Sequence, residues 1–153
     1  ASVNVFQVLG IKVCKLRTGI VLSDKGGALP EMVKPIKMGF GSAMGSGKQI
    51  QSWIHIDDLV ALYNFVLEKQ LEGVYNAVSP NPISNEVLTK TIAKTLKKSL
   101  WLPNTPEFVM KLILGEMSYL LFSSKNLSAN KILDLGFQFQ FPDIEKAIAD
   151  LYL

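Results

Sequence analysis

Apolar and polar positions follow one another along the chain in blocks that predict alternating strands and helices. Val, Ile and Leu dominate residues 11–22, which predicts a buried strand that runs into a loop at its carboxyl end, and residues 49–56 predict a second strand. Asp57 or Asp58 would then cap a helix in which apolar side chains recur every three or four positions. Residues 73–78 predict another strand, so the order is that of a parallel βαβ unit.

The rest of the pattern is mainly helical. Residues 2–9 predict the end of a helix stopped by Gly10, so we expect the chain to begin within an element. The alternation of Phe and Gln over residues 137–141 predicts a short half-buried strand. Further helices are predicted at residues 28–38 with an interruption at Pro35, from Ser84 or Asn85 to Leu96, from Thr105 to Gly115, at residues 128–135, and from Asp143 to Leu151.

Composition excludes several classes of function. Hydrophobic residues make up 48% and charged residues 19%, as in an ordinary globular protein, and the net charge of +3 is spread without a basic stripe for nucleic acid. The longest apolar stretch, residues 108–122, is broken by Lys111 and Glu116 and is too short to span a membrane. The single Cys14 cannot form an internal disulfide, which favours a reducing cytoplasm.

Glycines recur at Gly39, Gly41, Gly45 and Gly47. Such a cluster suggests a phosphate cradle, because glycine lets backbone N–H groups approach a pyrophosphate. A dinucleotide fingerprint, however, follows a strand and opens a helix, whereas this cluster precedes a strand. It indicates a tight turn or a loop on the substrate side.

Few residues offer acid–base or nucleophilic chemistry. His55 is the only histidine, which excludes a multi-histidine metal site and favours a packed strand residue. Asp57 and Asp58 are interpreted as helix caps. A hydrolase using Ser52 with His55 is a weaker hypothesis, because residues three apart on a strand face opposite ways. Arg17, at the end of a strand, is either a ligand contact or a surface ion pair.

One long motif resembles a known family. Residues 45–59, GSGKQIQSWIHIDDL, resemble the G-D-G-x-Q-x-R-D-F-[IV]-H-V-D-D-[LV] segment of extended short-chain dehydrogenases, the nucleotide-sugar epimerases and dehydratases. Other segments point to an atypical epimerase subgroup, sometimes labelled cell-division inhibitors or sugar-nucleotide epimerases: LRTGIVL at 16–22, GGAL at 26–29, GVYNA at 73–77, and GFQF at 136–139 followed by Pro142. The resemblance covers nearly the whole chain but only the carboxyl-terminal half of such a protein.

The resemblance implies an α/β fold in which partial Rossmann-like parallel strands carry a helical C-terminal substrate-binding subdomain. We expect residues 1–104 to form the Rossmann-like part and residues 105–153 the helical part. The family's glycine-rich cofactor turn is absent, and no Tyr here is followed by Lys four residues later. NAD or NADP is therefore expected in the full-length parent and not on this chain alone.

The resemblance also implies which residues face the ligands. The residues expected along the nicotinamide are Arg17, Thr18, Gly19 and Val21. Those expected along a small-molecule substrate are Met32, Gln49, Gln51, Ser52, Trp53 and His55. Gln51 and Ser52 stand where nucleotide-sugar enzymes have Arg and Asp, and Gln cannot form the charged fork that Arg makes on a diphosphate. A nucleotide-diphosphate sugar is not the expected substrate.

Two hypotheses about the chain as a whole remain. The first is the substrate-binding portion of an NAD(P)-dependent epimerase or oxidoreductase, inactive without the missing N-terminal half. The second is a stand-alone, non-catalytic binding or scaffold module derived from that family. If the first holds, the strand in residues 11–17 lacks a sheet neighbour, and we expect the chain to self-associate through that exposed edge.

Overall fold

The computed structural model describes residues 3–106, 108–109 and 124–153. Within them the helices are α1 (Asn4–Val8), α2 (Ala28–Lys37), α3 (Ile56–Glu68), α4 (Asn85–Thr95), α5 (Asn130–Leu133) and α6 (Ile144–Tyr152). The strands are β1 (Cys14–Thr18), β2 (Ile20–Leu22), β3 (Ile50–Gln51), β4 (Trp53–His55), β5 (Gly73–Ala77) and β6 (Ile83–Ser84). The helix predicted from Thr105 to Gly115 lies mostly outside the described residues.

The segment predicted as one strand, residues 11–22, forms two strands that pair with different partners. β1 lies parallel to β5, and β2 lies parallel to β4. The exchange happens at Gly19, whose N–H donates to the Ala77 carbonyl, while the next N–H, that of Ile20, donates to the Ser52 carbonyl. Where the sequence predicts a strand running into a loop, the structure has two strands, because neighbouring amides bond to two different segments.

The second predicted strand, residues 49–56, is also divided. β3 pairs antiparallel with β6, whereas β4 pairs parallel with β2, and Ser52 separates them. The Ser52 hydroxyl donates to the Lys125 carbonyl and accepts from the Leu127 N–H. This side chain therefore attaches the segment at residues 125–127 where the strand breaks.

The order β4, α3, β5 confirms the predicted strand, helix and strand, and both strands pair in parallel. The N-cap of α3 was predicted wrongly. It is His55, whose Nδ1 accepts from the Asp57 N–H at 3.2 Å, so neither Asp57 nor Asp58 caps the helix. An imidazole nitrogen can fill this role because a helix start needs only an acceptor for its unpaired N–H groups.

The carboxylate of Asp58 instead binds the segment after α5. Asp58 is 1% exposed, and its two oxygens accept from the Gln140 N–H at 2.7 Å and the Phe141 N–H at 3.0 Å. Residues 137–141 form no strand, which corrects the prediction from their alternation. The alternating burial is nevertheless present, since Phe137 is buried and Gln138 and Gln140 are exposed.

The other helices largely follow the sequence pattern. Ser84 caps α4 by accepting from the Val87 N–H, and Asp143 occupies the N-cap position of α6 without a side-chain cap bond. α2 continues through Pro35 to Lys37, so the predicted interruption is wrong. α5 is shorter than the predicted helix at residues 128–135.

Two hydrophobic clusters form the core. The first joins α2, α4 and α6 around Trp53, and the second joins α3, β5, α5 and Phe137 around Ile54. Consecutive side chains of a strand face opposite sides, so the short β4 contributes to both clusters. Because α6 packs on α4, part of the predicted second unit, residues 105–153, shares a core with the first; the division at residue 104 stays a prediction.

Among the helices of the described segments, none is both long enough and apolar enough to cross a membrane.

Candidate functional site

The residues expected along a cofactor lie where β1 ends and β2 begins. Arg17 and Thr18 are exposed, while Gly19 and Val21 are partly buried. In open α/β sheets, ligands bind outside the carboxyl ends of parallel strands, and β1 and β5 end together at Thr18 and Ala77. Arg17 and Thr18 lie at this end of β1, whereas Gly19 precedes β2 and Val21 lies within it. Their contact with a cofactor stays a prediction.

Gly19 is enclosed by neighbouring backbone. A Cβ at this position would lie 2.4 Å from the Ser52 carbonyl oxygen and 2.8 Å from Cγ1 of Val78. No larger residue fits without moving the chain. The absence of a side chain is therefore what allows β1, β4 and the residues after β5 to meet.

The residues expected along a substrate are all buried. Met32 is 6% exposed, and Gln49, Gln51, Ser52, Trp53 and His55 are each no more than 9% exposed. Their described hydrogen bonds go to other parts of the protein: the Trp53 indole N–H donates to the Asn81 carbonyl, and Gln49 Nε2 donates to the Met44 carbonyl.

Both ring nitrogens of His55 lie near polar groups of the protein. Since Nδ1 accepts from a backbone N–H, the ring proton is assigned to Nε2, which lies 3.4 Å from Oδ2 of Asp150. The ring also lies 4.0 Å from the ring of Phe141, centroid to centroid. His55, Asp57 and Asp150 could together offer three ligand atoms to a cation, but Nδ1 is already occupied and both carboxylates are largely exposed.

Met32 instead lines a cavity of about 460 Å³ between α2 and the loop that follows it. We call it the α2 cavity. Its described lining is Glu31, Met32, Lys34, Pro35, Ile36, Met38, Phe40, Ser42, Met44, Thr89, Thr105 and Val109. Most of these side chains are apolar, and the volume lies within the roughly 300–1,000 Å³ that is usual for small-molecule sites.

The glycine-rich loop shapes this cavity. A Cβ on Gly41 would lie 2.5 Å from Cγ1 and 2.9 Å from Cα of Ile36, so glycine lets the loop return closely against α2. Farther along, the Met44 N–H donates to Oδ1 of Asn85 and the Met44 carbonyl accepts from Gln49. Gln49 therefore fixes part of the cavity wall without lining it.

Sequence reasoning missed most residues of the α2 cavity. The glycines were noticed, but Ser42 meets Thr105 through a hydrogen bond between side chains 63 residues apart. No local pattern reveals such a pair. The available signal was a proline within a predicted helix followed directly by a glycine-rich loop.

A second concave surface lies beside β1. This β1 groove has a volume of about 490 Å³ and is lined by Lys12, Cys14, Leu16, Tyr63, Val66, Leu67, Gln70 and Leu71. β5 is the one strand that pairs with β1 in the described part of the chain. Large apolar side chains near the groove are exposed, including Leu67 at 73% and Ile11 at 52%.

Cys14 in the β1 groove should react slowly with alkylating reagents. Burial raises the pKa of its thiol above the ordinary 9.0, and the Lys131 ammonium opposes this only in part. We expect the iodoacetamide rate of the folded chain to rise with pH at a midpoint above 9.0, and that of the urea-unfolded chain near its ordinary value. Because the folded thiol binds its proton more tightly, this group's contribution to the free energy of unfolding falls as pH rises past 9.0. A folded-state midpoint at or below 9.0 would contradict this.

Comparison with known proteins relates the chain to one family. Residues 105–151 match a family described as a domain of unknown function, DUF1731. Epimerase family protein YfhF of Bacillus subtilis is 36% identical over 146 residues, which cover 95% of this chain and 48% of the relative. Epimerase family protein SAR0825 of Staphylococcus aureus is 37% identical over 149 residues, covering 95% and 49%. The chain is therefore similar to about half of an epimerase family protein.

Solved structures agree with this similarity. The human epimerase family protein SDR39U1, isoform 2, solved with NADPH, superposes with a TM-score of 0.84 at 29% identity, covering 92% of this chain and 48% of the human one. A nucleoside-diphosphate sugar epimerase of Corynebacterium glutamicum gives 0.72 at 31% identity, covering 95% and 27%. The predicted α/β fold and the resemblance to the carboxyl-terminal half of this family are confirmed. The chain spans about half the length of the curated relatives that it matches.

Proposed function

We propose that this chain forms the substrate-facing part of an NAD(P)-dependent epimerase or oxidoreductase, and that the rest of a full-length protein supplies the cofactor turn and the catalytic Tyr–Lys pair. The observation that carries the proposal is the superposition on about half of a human family member solved with NADPH. At 29% identity and a TM-score of 0.84, the likeness extends beyond a shared fold. It supports NADPH as the first cofactor to test.

The proposed cofactor side is the carboxyl end of β1. Arg17 is exposed and is the sole arginine of the chain. A guanidinium keeps its charge at any working pH and offers a planar set of N–H donors to phosphate or ribose oxygens. Thr18 adds a hydroxyl, Gly19 permits close approach of the backbone, and Val21 continues the surface along β2.

The proposed substrate side is the α2 cavity. Met32 contacts it directly, and Gln49 supports its wall through Met44. The remaining predicted contacts, Gln51, Ser52, Trp53 and His55, are buried next to these elements and would orient the wall. Their roles toward a substrate are part of the proposal.

The β1 groove is the proposed contact for the rest of a full-length protein. A strand with a bare edge and apolar side chains beside it favours pairing with another strand. In the chain by itself, the same edge would support self-association. The single Cys14 supports a proposed cytoplasmic location, where thiols stay reduced.

Calorimetric titration with NADPH and NADH tests the function. The samples are this chain and a full-length protein that contains it, and we expect NADPH to bind only the latter. In that protein Arg17→Ala should weaken NADPH binding roughly tenfold, the worth of one charge-assisted hydrogen bond, whereas the exposed Lys98→Ala should leave it unchanged.

Two results would overturn the proposal. Tight NADPH binding by this chain alone would mean that it holds a cofactor site of its own, with the glycine loop at residues 39–47 as the first place to look. Failure of both proteins to bind either nucleotide would favour the alternative of a non-catalytic binding or scaffold module.

A further inference from the structure

The described residues that line the α2 cavity carry no net charge together. The described lining includes one acid and one base, Glu31 and Lys34, and these pair with each other one helical turn apart. Both side chains of this pair are partly exposed, at 37% and 65%, so the pair lies toward solvent. The sole arginine, Arg17, is not among the lining residues.

Apart from this ion pair, the polar side chains of the described lining are neutral. Ser42 and Thr105 hydrogen-bond to each other through their hydroxyls, and Thr89 adds a third hydroxyl from α4. Pro35 has no N–H to donate to the Glu31 carbonyl four residues earlier, so that carbonyl lacks its usual helical donor. The hydroxyl pair can donate a hydrogen bond to a ligand oxygen, or accept one from a ligand hydroxyl, without any change of charge.

An anionic ligand does not suit this lining. Moving a charge from water into an apolar site is costly unless an opposite charge meets it. Lys34, the one cation among the described lining residues, is already paired with Glu31. A diphosphate would need an arginine fork or several unpaired ammonium groups. Methionine, by contrast, adapts its shape to apolar ligands, and Met32, Met38 and Met44 all line this cavity.

We propose that the α2 cavity binds an uncharged, mainly apolar small molecule whose carbonyl or hydroxyl oxygen is directed at Ser42 and Thr105. The claim that such a molecule is the enzyme's substrate rests on the proposed function. The claim that the cavity binds it does not. Met38 and Phe40 line the cavity while remaining 68% and 59% exposed, which places them at its mouth.

The test is a titration of the chain labelled with ¹³C at its methionine methyl groups. The probes are 2-decanone, decanoate and UDP-glucose. Decanone and decanoate have the same chain length and differ in the charge of the polar end. We expect 2-decanone to shift the methyl resonances of Met32 and Met44, and decanoate and UDP-glucose to leave them in place at the same concentrations.

Variants locate the site. Met38→Lys places a charge at the mouth without emptying the core and should weaken 2-decanone binding at least fivefold. Val60→Lys, at a position on α3 that is 52% exposed and lines neither concave surface, is the matched control and should bind as the parent does. Thr105→Val removes one hydroxyl at nearly constant shape and should also weaken binding, by about fivefold.

The following results of the titration would contradict the proposal. Stronger shifts with UDP-glucose would identify a nucleotide-sugar site, and stronger shifts with decanoate would identify an anion site. If no probe shifts the methyl resonances, or if Met38→Lys and Val60→Lys weaken 2-decanone binding equally, the α2 cavity is not the binding site. If 2-decanone binds in the α2 cavity while NADPH binds neither this chain nor the full-length protein, the binding site is supported and the proposed enzymatic function is not.

Discussion

Replacing Asp58 by Ala should lower the free energy of unfolding by about 3–5 kcal/mol, because two charge-assisted hydrogen bonds to buried N–H groups are lost together. The carboxylate is 1% exposed and binds the Gln140 and Phe141 N–H groups, so nothing nearby replaces it. Urea unfolding followed by circular dichroism measures the change. A thermal midpoint lower by roughly 8–15 °C would accompany it.

The neighbouring Asp57 provides the control. Its side chain is 63% exposed, and its carboxylate lies 3.9 Å from His55 Nδ1. Asp57→Ala should therefore cost no more than about 1 kcal/mol, through the helix dipole. Asp58→Asn keeps one acceptor oxygen and should fall between the two. Equal losses for Asp57→Ala and Asp58→Ala would show that the bonds to residues 140 and 141 contribute nothing specific.

Gly19→Ala should lower the free energy of unfolding by about 2–4 kcal/mol, because the added methyl group meets backbone and not a flexible side-chain end. The nearest atom, the Ser52 carbonyl oxygen, would lie 2.4 Å from the new Cβ and already accepts from the Ile20 N–H. The overlap between the new methyl group and this oxygen can be relieved only if β2 and β4 move apart. The same urea titration measures the loss.

Gly26→Ala is the matched control for this substitution. Nothing lies within 4 Å of a Cβ built at Gly26, and its φ lies outside the left-handed region. We expect its stability to stay within about 0.5 kcal/mol of the parent, since alanine also restricts the unfolded chain. A loss at Gly26 as large as that at Gly19 would mean that glycine is needed there for backbone conformation and not for close packing.

Local patterns in the sequence were enough to predict the helices that carry an apolar stripe. α3, α4 and α6 were predicted near their observed positions because each needs only side chains at helical spacing facing one core. β5 was predicted for a similar reason, as a short apolar segment bounded by turn residues. The motif at residues 45–59 carried the family assignment, since its order and spacing are specific.

The breaks in the strands could not be predicted in this way. Whether residues 11–22 form one strand or two depends on where Ala77 and Ser52 present their carbonyls, and these belong to distant parts of the chain. Asp58 was likewise interpreted from its place before a helix, whereas its actual partners are 82 and 83 residues away. Non-local hydrogen bonds decided each of these cases.

The candidate site shows the same division. Met32 was expected near a substrate; it lines the α2 cavity, and its role toward a substrate stays a prediction. The hydroxyl pair of Ser42 and Thr105 joins two loops and has no signature in either. The assignment of Gln51, Trp53 and His55 to the substrate stays a prediction, and their burial makes an indirect role the simplest form of it.

The sharing of β-strands between the two hydrophobic clusters has a consequence for recombination between relatives. Trp53 belongs to one cluster and Ile54 to the other, and Leu22 and Val21 divide in the same way. A chimera that takes one cluster from each of two parents must therefore combine foreign side chains on opposite faces of the same strand. Exchanges among epimerase-family members should keep residues 14–22 and 50–55 from a single parent, and place their crossovers in the loops outside them.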